Sequence, residues 1–402
     1  MAHGDRTGWT RPTGARAAAA KVPRVPEILI YGDTVRSPEL RHEVPLAIPD
    51  PFLYMEKEGR RAVVLHSLEI PRVRESAPEL EIIAKEQLGA DELYQRGVKD
   101  SEVSLELAVR ACRELGIEHA VVPPSFPIEH ADHLRAHAVG IAFDRDLFER
   151  RRRSKNETEL RGMRNAQRAC EVALDTARAL LRRANADGGG LEVDGEPLTS
   201  ERLKQAIEPV FSEFDVEGGD MIVSHGAQTA VGHNPGSGRL RPNEPIVFDL
   251  YPKDKQTACY ADMTRTYVIG DVPAELREWH RLVKEALDRS TAEVKPGANG
   301  RALYELACDL FHAAGHKTQL NKRPGEVLEE GFFHGLGHGV GLEVHESPSL
   351  SRAGDDLLPG DVITIEPGLY RAGYGGLRLE DLVLVTADGH EVITSYPYDL
   401  EP

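Results

Sequence analysis

Four acidic residues interrupt apolar, strand-forming stretches in the second half of this chain, and they constrain its fold more than any other feature. A carboxylate inside a protein core must be paired, protonated or bound to a metal ion. One such residue alone fits a salt-bridged core acid as well as a site, but four together favour a site. They are Asp249 in PIVFDLYP, Asp262 in CYADMTRTYVIG, Glu366 in DVITIEPGLY and Glu380 in GGLRLEDLVLVT.

A glycine-rich segment, FFHGLGHGVGLEVHESP at residues 332–348, adds His334, His338 and His345. Glycine allows close backbone approach, so histidines in such a segment are often displayed at a site rather than packed in a core. A lone histidine there would fit an ordinary surface or core imidazole. Four carboxylates and one imidazole suit two divalent ions, because the ligand charges roughly balance the metal charges and some carboxylates can bridge.

The periodicity of apolar residues divides the chain into two parts. In the first, strand-like EILIY, RAVVLHS and HAVVPP alternate with an amphipathic helix at 101–115, which indicates an α/β domain. The charged stretch RDLFERRRRSKNETEL reads as a linker or helix start and places a boundary near residue 150. We predict a disordered tail at 1–21, an α/β domain at 22–150 and a second domain at 151–402.

The second domain is predicted to be α+β, because its strands and helices are segregated along the sequence. The polar stretch KDKQT is expected to be the turn of a hairpin between the first two strands. Helices are predicted over 156–184, 198–214, 274–293 and 300–314, and strands over 245–252, 259–270, 361–370 and 375–386.

Composition excludes several classes of protein. A formal charge of -17, from 49 basic and 66 acidic residues, argues against nucleic-acid binding, which needs clustered cations. The four cysteines form no CxxC pair, which favours a reducing, cytoplasmic location. No run of about 18 apolar residues predicts a membrane span, and residues 1–21 lack the apolar core of a signal peptide.

The ordered motifs FDL, YADMTRT, HGLGHGVGLEVHESP, TIEPGLY and GGLRLEDLVLVT resemble those of the pita-bread-fold metallopeptidases, over roughly residues 155–398. That family includes methionine aminopeptidase, aminopeptidase P and prolidase. The resemblance implies a pita-bread (creatinase/aminopeptidase-like) catalytic domain behind a smaller, creatinase-like α/β domain. It also implies two divalent ions per chain, with manganese favoured and cobalt, zinc or iron as alternatives. The implied ligands are Asp249, Asp262, His338, Glu366 and Glu380, with Asp262 and Glu380 bridging.

Further residues match the proline-specific branch of that family. His233, His345 and Arg378 occupy the places of groups that contact the substrate and stabilise the tetrahedral intermediate, and His334 also matches. Glu366 is expected to relay a proton to the leaving nitrogen in addition to holding metal. An N-terminal domain favours an Xaa-Pro aminopeptidase or Xaa-Pro dipeptidase over methionine aminopeptidase. The resemblance therefore implies a homodimer that removes the residue before proline from small peptides.

Three alternatives are open at this point. A metal-free, creatinase-type mechanism is disfavoured because all five ligand positions are retained. The same fold can act on a non-peptide small amide or as a lyase, since fold does not decide substrate. A non-catalytic binding protein is a third possibility. One departure from the family is a longer loop, LYPKDKQTACYA, between the first two aspartates; Asp254 in it is interpreted as an exposed turn residue.

Overall fold

The computed structural model describes residues 26–402, so the tail predicted at 1–21 lies outside the described residues. Residues 26–153 form a six-stranded mixed sheet with helices on both faces, as the α/β pattern predicts. Its elements are β1 Ile28–Gly32, α1 Pro38–Glu43, β2 Phe52–Lys57, β3 Arg60–Leu65, α2 Ile70–Ser76, β4 Glu81–Ala84, α3 Ala90–Gln95, α4 Asp100–Leu115, β5 His119–Val122, α5 Ile128–Ala136, β6 Gly140–Phe143 and α6 Arg145–Arg153. The strands are arranged in the order β4-β3-β2-β1-β5-β6.

Alternation along the strands explains why this sheet carries two cores. In β1, Leu29 faces one side and Ile28 and Ile30 face the other, because successive side chains of a strand point to opposite faces. The Leu29 side packs against α3, α4 and α5, and the opposite side packs against α1, α2 and α6. Both faces are therefore buried under helices.

The rest of the chain contains long helices and short antiparallel strands, which confirms the predicted α+β class. The strands are β7 Asn185–Ala186, β8 Leu191–Val193, β9 Glu196–Pro197, β10 Val216–Glu217, β11 Ile222–His225, β12 Pro245–Leu250, β13 Lys253–Asp254, β14 Met263–Val268, β15 Glu330–Gly331, β16 Gly337–Gly339, β17 Glu346–Leu350, β18 Val362–Ile365, β19 Gly368–Arg371, β20 Gly375–Arg378, β21 Asp381–Val385 and β22 His390–Val392. The helices are α7 Glu157–Arg182, α8 Ser200–Glu213, α9 Ala274–Ala292 and α10 Gly300–Ala313.

Helix α7 shows how local sequence sets an element boundary. The Asn156 side chain accepts a hydrogen bond from the Glu159 amide at 2.9 Å, and the Glu159 carboxylate accepts one from the Asn156 amide at 2.9 Å. This reciprocal capping box satisfies two amides that a helix start would otherwise leave unpaired. The apolar face of α7 then packs with α8 against β11, β12 and β14.

A second helix pair, α9 and α10, covers β18, β20 and β21 in a separate apolar core. The backbone amide of Glu380, which follows β20, donates to the Thr264 carbonyl of β14 at 3.1 Å. The two helix-backed groups of strands therefore meet edge to edge, and the predicted site residues lie along that junction.

The loop between Asp249 and Asp262 is folded rather than exposed. β12 and β14 pair in antiparallel register as predicted, but the segment between them adds β13, which pairs with β10. Asp254 is only 5% exposed, so its interpretation as an exposed turn residue is wrong. Its carboxylate accepts hydrogen bonds from the Thr257 amide and hydroxyl, both at 2.7 Å, and from Asn165 at 2.9 Å.

Buried polar contacts join the N-terminal sheet to the remainder of the chain. Arg41 of α1 donates to the carbonyl oxygens of Gln256 and Thr257, in the same loop between the two aspartates. Arg153 at the end of α6 pairs with Asp361 at 2.7 Å. Within residues 26–402, no helix combines the length and apolar character needed to cross a bilayer.

Candidate metal centre

Strand ends bring the predicted acidic ligands to one place. Asp249 lies in β12, directly opposite Thr264 of β14, and Asp262 immediately precedes β14. Glu366 follows β18, and Glu380 stands between β20 and β21. Because β12, β14, β18 and β21 are fully buried strands, each carboxylate enters the interior from a rigid backbone.

The imidazole of His338 is presented by β16, whose glycines permit an unusually close approach of neighbouring backbone. A Cβ atom on Gly337 would lie 2.0 Å from the Thr364 carbonyl oxygen, and one on Gly339 would lie 2.4 Å from that of Ser347. Any side chain at either position would push the strand away. The glycines around His338 therefore reflect packing that places this imidazole against the carboxylates.

Ligand atoms of Asp262, His338 and Glu380 all lie within 4.8 Å of one another. Nδ1 of His338 is 3.1 Å from the Gly339 carbonyl and can donate to it, which leaves the lone pair of Nε2 free. That Nε2 is 3.9 Å from Asp262 Oδ2 and 3.8 Å from Glu366 Oε1. Four of the five predicted ligands thus face a common point.

The fifth predicted ligand, Asp249, is engaged by Arg378. Nη2 of Arg378 contacts Asp249 Oδ2, Nε donates to the Thr264 hydroxyl at 3.1 Å, and Nη1 donates to the Tyr370 hydroxyl at 3.1 Å. Thr264 in turn donates to Glu380 Oε2 at 2.6 Å. Arg378 is consequently locked in orientation beside the carboxylates.

Three carboxyl groups of this cluster have raised pKa values, which is typical of a site that binds cations. Burial raises the pKa of Asp262 well above its usual range, with Glu380 and Asp249 adding to the effect, and burial together with Glu380 does the same to Glu366. Burial and the charge of Asp249 raise the pKa of Glu380 to about 7. Among residues 26–402, Asp262 Oδ1 and Glu380 Oε1 are buried polar atoms without a hydrogen-bond partner.

These observations fit divalent metal ions. Several carboxylates and one imidazole form an oxygen-rich donor set, and bound cations would offset the mutual repulsion and occupy the unpaired oxygens. Burial lowers the pKa of His338 to about 4, with a further contribution from His345, so its imidazole is neutral near pH 7, as a metal ligand must be.

The other predicted histidines line the open side of the cluster. The rings of His338 and His345 are 4.2 Å apart at 70°, and His345 is exposed. His233 is exposed too, and its charge contributes to lowering the pKa of both His334 and His345, in which burial is the main cause. His334 is half-buried, and its Nε2 is 2.9 Å from the Tyr370 hydroxyl.

Two residues of the cluster were not identified from the sequence. Tyr370, only 1% exposed, connects His334 to Arg378, and fully buried Thr264 connects Arg378 to Glu380. A tyrosine in EPGLY and a threonine in DMTRT look like ordinary strand residues. The alternation of side chains along β14 offers the one usable signal, since Thr264 points to the same face as Asp262.

Buried carboxylates, a glycine-flanked imidazole and two helix-backed groups of antiparallel strands define this protein as a metallopeptidase of the pita-bread type. The chain belongs to metallopeptidase family M24, whose sequence profile matches residues 161–387, more than half of its length.

Known proteins similar to this chain cover nearly all of it. An uncharacterised peptidase of Staphylococcus aureus (strain MRSA252) is 28% identical over 349 residues, or 86% of this chain and 87% of the relative. The solved Xaa-Pro dipeptidase from Bacillus anthracis aligns with a TM-score of 0.73 and 21% identity over 93% of this chain and 94% of its own. The X-Pro aminopeptidase from Thermotoga maritima MSB8 has the same TM-score and identity, covering 93% and 97%.

These similarities confirm the predicted fold, including the N-terminal domain ahead of the pita-bread part, and the prediction that the chain is a peptidase. The roles assigned to individual residues, and the domain limits at residues 150 and 151, stay predictions.

Proposed function

We propose that this chain is a dinuclear metal-dependent exopeptidase that removes the N-terminal residue preceding a proline, as an Xaa-Pro dipeptidase or Xaa-Pro aminopeptidase. The observation that carries the proposal is the convergence of Asp262, His338 and Glu380, whose ligand atoms lie within 4.8 Å of one another. Glu366 and Asp249 complete the proposed ligand set. Manganese is the proposed ion, because the donors are mainly carboxylate oxygens.

When bound, a pair of divalent ions supplies an activated water and polarises the scissile carbonyl group. The chain holds that pair on rigid strands rather than on loops. Asp262 and Glu380 would hold the ions closely, since each carries one buried oxygen without a hydrogen-bond partner among the described residues. Four negative side chains and one neutral imidazole would balance two dications.

Glu366 is the proposed proton carrier. With 18% of its side chain accessible, it is more exposed than Asp249 at 12% and Asp262 at 6%, while Glu380 is buried. It is therefore the carboxylate best placed to receive the proton of the attacking water. The nitrogen leaving from a bond to proline has no hydrogen of its own, so it must be protonated as the bond breaks.

Arg378, His233, His334 and His345 are the proposed substrate-binding groups. The imidazoles of His233 and His345 on the open side can donate to the substrate carbonyl oxygen and stabilise the negative charge that develops on it. Arg378 is held by Thr264 and Tyr370, and its fixed positive charge offsets the carboxylates and orients Asp249. His334 is held by its contact with the Tyr370 hydroxyl.

Preference for proline is supported by the structural neighbours, which include an Xaa-Pro dipeptidase and an X-Pro aminopeptidase of the same fold. The proposed ligand is accordingly a small peptide with proline second, and nucleic acid and membranes are not proposed partners. We further propose a cytoplasmic homodimer, with a creatinase-like domain at 22–150 and the catalytic domain at 151–402.

Turnover of matched peptides tests this function. Purified protein is assayed on Xaa-Pro dipeptides, Xaa-Pro tripeptides and the same peptides with alanine in place of proline, with added Mn²⁺ and with a chelator. We expect cleavage of the proline peptides that the chelator abolishes and Mn²⁺ restores. The ratio of dipeptide to tripeptide turnover decides between the two exopeptidase types.

Asp262→Asn provides the matched test of the site. It should abolish hydrolysis without unfolding the chain, while Asp271→Asn, at an exposed position outside the cluster, should be neutral. Near wild-type activity in Asp262→Asn would refute the site. Failure to cleave any proline peptide, together with cleavage of a small non-peptide amide, would refute the substrate but keep the metal centre.

A further inference from the structure

A second group of potential metal ligands lies on the N-terminal sheet, on helices that the proposed catalytic chemistry does not use. It consists of Glu106 on α4, His133 on α5 and His137 at the C-terminal cap of α5. One ligand atom from each residue lies within 4.8 Å of those from the other two, and the side chains of Glu106 and His133 are half-buried.

The two histidines are four residues apart, so they project from the same side of α5 and its cap. Their ring centroids are 4.3 Å apart. Nδ1 of His137 is 2.8 Å from the His133 carbonyl oxygen, and donation there leaves the lone pair of Nε2 available. Nε2 of His133 is buried and has no hydrogen-bond partner within the described part of the chain.

The carboxylate of Glu106 is oriented by a neighbour. Arg110, one turn further along α4, donates from Nε to Glu106 Oε1 at 3.2 Å and from Nη1 to the Leu88 carbonyl at 2.9 Å. The other oxygen, Oε2, faces His133 Nε2 at 4.0 Å, which is too long for a hydrogen bond. Glu106 Oε2 and the buried His133 Nε2, which has no hydrogen-bond partner among residues 26–402, therefore face each other across a gap.

We propose that Glu106, His133 and His137 bind one divalent transition-metal ion, best matched by zinc, separate from the pair in the catalytic cluster. Two imidazoles and one carboxylate are a common zinc ligand set, and tetrahedral ligand atoms about 2.0–2.1 Å from zinc lie about 3.3 Å apart. His133 Nε2 and Glu106 Oε2 are 4.0 Å apart without the ion and would move closer together to bind it.

Binding at this site ties α5 to α4. The two helices already share the core that contains Leu107 and Leu134, and the ion would add a link at their exposed edge. His130 takes no part, because its ring packs against Tyr31 with centroids 3.7 Å apart, inside the sheet core. The ion would therefore strengthen the packing of the N-terminal helices.

Zinc counting on the full chain tests the proposal. Protein freed of metal with a chelator is loaded with Zn²⁺, passed over a desalting column and analysed for zinc per chain. His133→Gln/His137→Gln should bind about one zinc ion fewer per chain than wild type, with peptidase activity in Mn²⁺ unchanged. His312→Gln, a substitution of the same type at an exposed position on α10, should bind as much zinc as wild type.

Zinc binding at the catalytic cluster can be weakened by substituting two of its proposed ligands. In an Asp262→Asn/Glu380→Gln background, added Zn²⁺ should still raise the unfolding temperature, and adding His137→Gln or Glu106→Gln should abolish that rise. The single substitutions guard against a double histidine variant that does not fold. Equal zinc content in wild type and the histidine variants, or a temperature rise that survives Glu106→Gln, would overturn the proposal.

Discussion

The guanidinium group of Arg378 on β20 directly contacts the carboxylate of Asp249 on β12, and the same side chain also bonds Thr264 and Tyr370. Each of the three nitrogens of the planar guanidinium group has its own partner. The ammonium group of lysine cannot reproduce that geometry.

We therefore expect Arg378→Lys to lower kcat about 100-fold while the chain stays folded. Steady-state kinetics on an Xaa-Pro dipeptide measures the effect. Arg371→Lys is the matched control, because Arg371 is 40% exposed and forms its ion pairs with Glu275 and Glu330, outside the cluster. An Arg378→Lys variant as active as this control would contradict the role given to the guanidinium group.

Tyr370→Phe is expected to reduce both stability and activity. It removes the hydroxyl between His334 and Arg378 and leaves a buried guanidinium nitrogen without its acceptor. Such a loss costs about 1–3 kcal/mol of unfolding free energy, and a comparable loss of ordering should lower kcat roughly 10-fold. Urea unfolding and peptide turnover measure the two effects, and Tyr374→Phe on the half-buried neighbour serves as control. An unchanged kcat in Tyr370→Phe would show that the Tyr370 hydroxyl does not contribute to catalysis.

The metal-free chain should become less stable as pH rises. The pKa values of Asp262, Glu366 and Glu380 are raised in the folded state, to about 7 for Glu380, chiefly by burial. The folded state thus binds protons more tightly than the unfolded state, so this contribution is present below about pH 4 and is lost as pH rises through about 7.

Mn²⁺ competes with those protons, so the gain in unfolding temperature on adding Mn²⁺ should increase between about pH 5 and about pH 8. Thermal unfolding in chelator and in excess Mn²⁺ across that range measures the gain. In Glu380→Gln the pH dependence should weaken. A gain that is constant across the range would show that these carboxylates do not hold the ion.

Arg41→Met is expected to destabilise the chain by about 1–3 kcal/mol, because the carbonyl oxygens of Gln256 and Thr257 lose a buried donor. Arg36→Met, at a side chain that is 85% exposed, should change stability by less than about 0.5 kcal/mol. Denaturant unfolding of both variants provides the comparison. Equal midpoints would mean that Arg41 contributes nothing beyond its own packing.

Elements with a strong local signal were predictable from sequence. Apolar periodicity placed helices at 274–293 and 300–314, where the structure has Ala274–Ala292 and Gly300–Ala313. The carboxylates were conspicuous because charge is costly inside strands. Their convergence was inferred from resemblance to a known family, since no local rule brings residues 249 and 380 together.

Features that depend on distant partners escaped sequence analysis. Asp254 looked exposed because Asp within KDKQT is typical of a turn, yet its burial is set by Asn165 of α7 and by Thr257. From the sequence, Tyr370 looks like an ordinary core residue. In the structure its hydroxyl contacts His334 and Arg378. The order of strands in the N-terminal sheet likewise depends on crossovers that residue patterns do not encode.

Because Arg41 bonds the backbone of the segment that joins Asp249 to Asp262, the catalytic half of this enzyme is matched to its own N-terminal partner. A chimera that replaced the first 150 residues with another module would need to offer a cation at the same position. Without one, the carbonyl oxygens of Gln256 and Thr257 would lack a donor. The loop between Asp249 and Asp262 would then be less well ordered, a few residues from each aspartate.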